Sequence, residues 1–268
     1  MLILAPGFVV SADTDTNANS PCIGYHNLCT TTTVSASSTA TGYPVTNLGN
    51  PLTYSKWKGA SAAAINVFVD VSGYGDLIDY VGIARHNFGT KGITVDVYGD
   101  AGAGYVLLGS VAPADDSPLI FRFAPAIYNT IKVALGAGSA APSMAVLYVG
   151  KLLVAQRRIY VGHTPITLAR EDDVTGGVSE EGDFLGRIIT GSTNANAISW
   201  ANFTPGWYRL YFAPFILAAR TKPWFFAWRP STYPLEVGFC WLSNQPKPVN
   251  DLPNGMMRID LQTRGIVL

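Results

Sequence analysis

Charge is what this sequence has least of. Asp, Glu, Lys and Arg make up 13% of its 268 residues, about half the usual share for a soluble protein. The 18 basic residues balance the 18 acidic ones, so no net field draws the chain to nucleic acid, whose phosphates favour a basic face. Long apolar runs are also missing. The best stretch, Met144 to Ala155, is broken by Lys151 and falls short of the roughly 18 residues that a spanning helix requires. Membrane insertion is therefore not expected. Cysteine is sparse: Cys22, Cys29 and Cys240 lack the paired spacing of a metal site. Buried free thiols are the simplest reading, with a Cys22–Cys29 bridge left open. The odd count, and an apolar start from Met1 to Val10 without a basic flank or cleavage motif, fit synthesis and assembly in a reducing cytoplasm.

Catalytic signatures are equally scarce. The three histidines, His26, His86 and His163, lie far apart and no GxSxG occurs, so nucleophilic catalysis has no visible triad. They read as strand-end residues that satisfy backbone groups. The glycine run from Gly99 to Gly104 is followed by no helix that could cradle a phosphate, which makes it a turn. Glu171, Asp172, Asp173, Glu180, Glu181 and Asp183 could offer a glycosidase its two carboxylates. Their Gly-rich context reads instead as a solvated acidic loop. The chain is expected not to be an enzyme, with no catalytic residue, metal ligand or cofactor.

What is present is β-structure. Short alternating or β-branched runs bounded by Gly, Pro, Asn and Asp recur at Ala64 to Val71, Tyr80 to Ala84, Ile93 to Tyr98, Tyr105 to Leu108, Leu119 to Phe123 and Thr130 to Leu135. Helical periodicity is hard to find anywhere. Gly99-Asp100 and Gly102 to Gly104 predict a hairpin, since positive-φ positions favour Gly. The tracts from Ser11 to Ser20 and from Thr30 to Thr41 predict exposed loop or edge structure. A composition change after Gly150 divides the chain into an N-terminal arm (1–21), a first domain (22–155) and a second domain (156–268). The expected fold is all-β, two β-sandwich domains in tandem.

Two groups of residues invite a binding role. Five of the six tryptophans lie at Trp200 or beyond, and Trp224, Phe225, Phe226 and Trp228 are the expected core or interface anchors. Low charge with ample apolar surface suits burial against neighbours, so a homo-oligomer is expected. Aromatic faces also stack on sugar rings while polar side chains fix hydroxyls. Tyr54, Trp57, Arg85 and Asn87 are candidate glycan contacts on that basis.

The order Tyr43-Pro44-Val45-Thr46-Asn47-Leu48, then Tyr54-Ser55-Lys56-Trp57-Lys58, then Val81-Gly82-Ile83-Ala84-Arg85-His86-Asn87 resembles the discoidin or galactose-binding-like jelly roll found in phage tail proteins. Further along, Val161-Gly162-His163, Gly182 to Arg187, Pro223 to Trp228 and Pro234 to Val237 are similar to segments of distal tail or upper-baseplate proteins of long-tailed bacteriophages. That resemblance implies a jelly roll followed by a distal-tail-type β-sandwich, in a structural protein of the virion tail tip. Such a protein would form a ring of identical copies, commonly hexameric in that family, joining tail tube, hub and receptor-binding or fibre proteins. The alternative is a carbohydrate-binding module that adsorbs to host-surface glycan.

Overall fold

The computed structural model describes residues 1–6, 8, 19–159, 162–250 and 255–266. Most of the polar tract from Ser11 to Ser20, and Val161, lie outside the described residues. Along the chain, β1 (Leu2–Leu4), β2 (Cys22–Gly24), β3 (Val34–Ala36), β4 (Trp57–Lys58), β5 (Ile65–Asp70) and β6 (Ile78–Ala84) lead to a short helix at Phe88–Lys91. Then come β7 (Val95–Asp100), β8 (Tyr105–Val111), β9 (Leu119–Ala126), β10 (Thr130–Leu135), β11 (Ser143–Met144), β12 (Val146–Gly150) and β13 (Leu153–Val154). The remainder holds β14 (Arg170–Val178), β15 (Phe184–Phe203), a helical segment at 205–219, β16 (Trp224–Ala227), β17 (Val237–Leu242) and β18 (Met257–Gly265).

These strands build layers. A five-stranded sheet, β3-β5-β10-β7-β8, faces a four-stranded sheet, β1-β9-β6-β12, across one apolar core. The alternation of Ile65, Val67 and Val69 on β5 and of Val95 and Val97 on β7 supplies that core, while the intervening residues are only partly buried. The expected hairpin joins β7 to β8. There Asp100 Oδ1 accepts hydrogen bonds from the backbone N–H groups of Gly102 and Gly104 at 2.7 and 3.1 Å, and both glycines have positive φ.

The four-stranded sheet is covered on its other face as well. On β6, Val81 and Ile83 point into the sandwich core, whereas Tyr80 and Ala84 enter a second core. On β12, Leu147 and Val149 face the sandwich while Val146 and Tyr148 face away from it. Both strands are buried throughout, because a strand between two layers has no wet side. The covering layer is a seven-stranded sheet, β13-β2-β16-β17-β18-β15-β14. Its far face carries the helical segment: Tyr208, Phe212, Phe215 and Ile216 pack on Trp200, Trp224 and Phe226.

Two expectations need correction here. The second part of the chain is not a second sandwich, but a single sheet sealed by the first sandwich on one face and by helix on the other. The helix leaves little periodic signal in the sequence because Thr204 to Ala219 is apolar nearly all round, contains Pro205, Gly206 and Pro214, and takes a π-turn at Tyr208–Phe212, which blurs a 3.6-residue period. Nor does a boundary at residue 155 follow the layers. Cys22–Gly24 and Leu153–Val154, both drawn in the first domain, pair within the seven-stranded sheet.

One element leaves the layered body. β14 and the first half of β15 form an antiparallel hairpin, with Arg170 opposite Asn194 and Val178 opposite Phe184. All of β14 is exposed, as are Phe184, Leu185, Ile188 and Ile189.

Candidate functional site

The four proposed glycan contacts are not brought together. Trp57 is fully buried in the sandwich core, where its indole Nε1 donates to Thr39 Oγ1 at 3.2 Å. It is a packing residue, which corrects its reading as a glycan contact. Asn87 is committed to the fold: its Nδ2 donates to the Ala141 carbonyl at 3.0 Å and its Oδ1 accepts from the Ser143 N–H at 2.8 Å. Arg85 is exposed and holds a positive φ of 54° at the end of β6. Tyr54 alone presents its ring to solvent, at 79% exposure.

Tyr54 lines a cleft of about 370 Å³ between the sandwich and the seven-stranded sheet. One wall is the loop 51–54 of the sandwich, where the Leu52 N–H donates to Asn50 Oδ1 at 3.0 Å. The opposite wall is the turn 220–223 that links the helical segment to β16, together with Trp241 and Leu242 of β17. Phe239 and Ala219, both buried, form its floor. The turn is held in place by Tyr148, whose hydroxyl donates to the Pro223 carbonyl at 3.0 Å, and by the Lys222 N–H, which donates to Ala218 O at 3.0 Å.

The side chains of Arg220 and Lys222 are exposed and form no hydrogen bond or ion pair with other described residues. Larger spaces exist, and several of their polar groups are already engaged. Near Trp207 and Tyr211, Asp79 Oδ1 accepts from the Leu152 N–H at 2.7 Å, and Arg122 lies 3.5 Å from Cys22 Sγ. Beside Tyr74, Asn27 Oδ1 binds the N–H groups of Cys29 and Val149, and Asp70 Oδ1 binds Ser72. The space near Trp207 and Tyr211 also holds the exposed Lys151, but the Tyr54 cleft, among these three, joins an exposed aromatic ring to two cations without hydrogen-bond partners among the described residues. Sequence reasoning found Tyr54 but missed Arg220, Lys222 and Trp241, which lie far along the chain from it and meet it only through the stacking of layers.

The remaining candidates hold structure together. Trp224, Phe225 and Phe226 are buried on β16, with Trp224 and Phe226 packed towards the helix and Phe225 towards the sandwich. Trp228 is partly buried, stacks on Tyr233 at a centroid distance of 5.5 Å, and donates its indole N–H to Glu236. Of the acidic residues, Glu171, Asp172, Asp173, Glu180, Glu181 and Asp183 are all exposed on the projecting hairpin. Hydrogen bonds from Ser192 and Arg170 hold the Asp172 carboxyl below its ordinary pKa, so it stays ionised and bonded rather than poised as an acid. Among the described residues no group of three or more His, Cys, Asp or Glu side chains is arranged to hold a metal ion.

The histidines serve the backbone or lie in packed surroundings. The His86 ring accepts the Phe88 N–H at Nδ1 (3.2 Å), which leaves Nε2–H to donate to the Ser117 carbonyl at 2.8 Å. Burial depresses its pKa to about 4, against smaller opposing effects from the Ser117 carbonyl and Asp116. His163, beside Phe226 and Trp228, is likewise depressed to about 4 by burial. The three cysteines are free and buried.

The chain is similar to sugar-binding modules. No family model and no curated protein matches it, but solved structures do. A chitosan-binding module of a chitosanase/glucanase from Paenibacillus sp. IK-5 is 16% identical, with a TM-score of 0.40 over 47% of this chain and 99% of that one. A family 32 carbohydrate-binding module from C. perfringens, solved with galactose, is 17% identical, with a TM-score of 0.41 over 47% of this chain and 98% of that one. A Ruminococcus gnavus fucosidase bound to fucose is 16% identical, with a TM-score of 0.38 over 48% of this chain and 27% of that one.

These comparisons correct the tail-tip reading. These three solved structures are carbohydrate-binding modules and a glycosidase, not phage tail or baseplate proteins. The structure differs from that reading in one respect: the second part is one seven-stranded sheet rather than a sandwich, and within it Trp224, Phe225 and Phe226 are core anchors.

Proposed function

We propose that this chain is a non-enzymatic carbohydrate-binding protein and that its site is the Tyr54 cleft. The observation that carries the reading is a cleft that the exposed Tyr54 ring and Trp241 line together over a floor of Phe239 and Ala219, with the side-chain donors of Arg220 and Lys222 in the same lining. An aromatic face gives a sugar ring a flat apolar platform, and donors at the edge fix its oxygens. The walls come from elements held by the layered cores, so the cleft is pre-formed and little ordering opposes binding.

Titration of the full chain against a panel of polysaccharides, followed by calorimetry on any that bind, tests the proposal. Binding that is lost in Tyr54→Ala supports it. Silence across the whole panel, or binding indifferent to that substitution, overturns it.

A further inference from the structure

We infer that the cleft selects acidic saccharides, those bearing carboxylate or sulfate groups; this rests on the reading of the cleft as a carbohydrate site. The argument is an imbalance of donors and acceptors. Arg220 brings a fork of N–H groups and Lys222 an ammonium, neither with an acceptor atom, and Trp241 brings an indole N–H. Among the described residues, no Asp, Glu, Asn or Gln lines the cleft.

The side-chain acceptors are the hydroxyls of Thr53, Tyr54 and Thr221, and that of Thr221 is turned towards the Ala218 carbonyl at 3.5 Å. Two backbone carbonyls of the lining already accept a hydrogen bond: Pro223 O from the Tyr148 hydroxyl and Phe239 O from the Ile266 N–H. A neutral sugar presents many hydroxyl protons, each of which needs an acceptor. Here the lining side chains supply only the three hydroxyls as acceptors, against the donors of Arg220, Lys222 and Trp241. A carboxylate or sulfate presents only acceptors and matches what the cleft offers, with charge-assisted bonds stronger than neutral ones and the Arg220 fork able to hold two oxygens at once.

Arg220 and Lys222 also follow the C-terminal end of the helical segment, where a cation offsets the helix dipole. That role alone would leave binding unaltered when both are replaced by neutral side chains that still hydrogen-bond. The test exploits the difference. The full chain, R220Q/K222Q and Tyr54→Ala are titrated with alginate oligosaccharides, chondroitin sulfate and neutral laminarin oligosaccharides, at low and high salt.

The inference expects both acidic probes to bind at least about tenfold more tightly than laminarin, to weaken as salt rises, and to lose about tenfold or more in R220Q/K222Q. Equal binding of laminarin, or unchanged affinity in R220Q/K222Q, with all binding still lost in Tyr54→Ala, overturns the inference while the carbohydrate reading stands. Binding of the acidic probes that ignores Tyr54→Ala marks adhesion by charge alone and overturns both. So does an absence of binding to all three.

Discussion

The ring of Phe225 occupies the space that a side chain on Gly82 would need: a Cβ built there would lie 2.6 and 2.7 Å from two of its carbons. Gly82 sits on β6 of the sandwich and Phe225 on β16 of the seven-stranded sheet. The same closeness recurs on β2, where a Cβ built on Gly24 would lie 2.7 Å from the Tyr80 ring. Each sheet thus offers a glycine to an aromatic ring of the other, and the two layers lock together in the arrangement that also forms the cleft.

Gly82→Ala should therefore destabilise the chain by about 1–3 kcal/mol through overpacking. Phe225→Ala should cost about 3–5 kcal/mol through the cavity it leaves. Denaturant unfolding measures both. A neutral Gly82→Ala would mean that the layers part more easily than their packing implies.

Tyr54 and Trp57 are three positions apart and should behave in opposite ways. Tyr54→Ala removes an exposed ring and should shift stability by no more than about 0.5 kcal/mol while abolishing saccharide binding. Trp57→Ala empties a fully buried site and should cost about 3–5 kcal/mol. Parallel melting curves and calorimetric titrations separate the two.

Stability should fall on acidification. The folded pKa of His86, about 4, lies below its ordinary value of 6.5, so between those values the unfolded chain binds more protons than the folded one. The stabilisation is full above about pH 6.5 and is lost progressively down to about pH 4, about 3 kcal/mol for His86. His163 is shifted in the same direction. Urea midpoints across that range should decline, and His86→Gln should remove the His86 share of the decline.

Thiol chemistry reports burial. Cys22, Cys29 and Cys240 are buried, and burial pushes the Cys29 thiol up to about 12 and the Cys240 thiol higher still. A disulfide reagent such as Ellman's should find almost no reactive thiol in the native chain and all three in denaturant. Rapid native labelling would contradict the packing around β2 and β17.

The projecting hairpin contributes little to any core. Replacing residues 176–186 by a short turn should leave the melting temperature nearly unchanged, because every residue removed is exposed or nearly so. Saccharide binding at the Tyr54 cleft should survive the same change, as measured by titration.

The sequence alone determined the β-strands of the sandwich. Alternation in Ile65 to Asp70 and Val95 to Asp100, and the Gly-rich turn between β7 and β8, are local signals that local geometry obeys. Tertiary structure decided what no local signal carries. That β2 leaves the sandwich to pair with β16 is a contact across more than half the chain. That β6 and β16 are buried on both faces depends on which layers stack. The cleft follows from the same stacking, which places Tyr54 of one layer beside Trp241 and the Arg220 turn of the next. A side chain's period tells which way it points from its own backbone; what it meets there is fixed only when distant segments close over it.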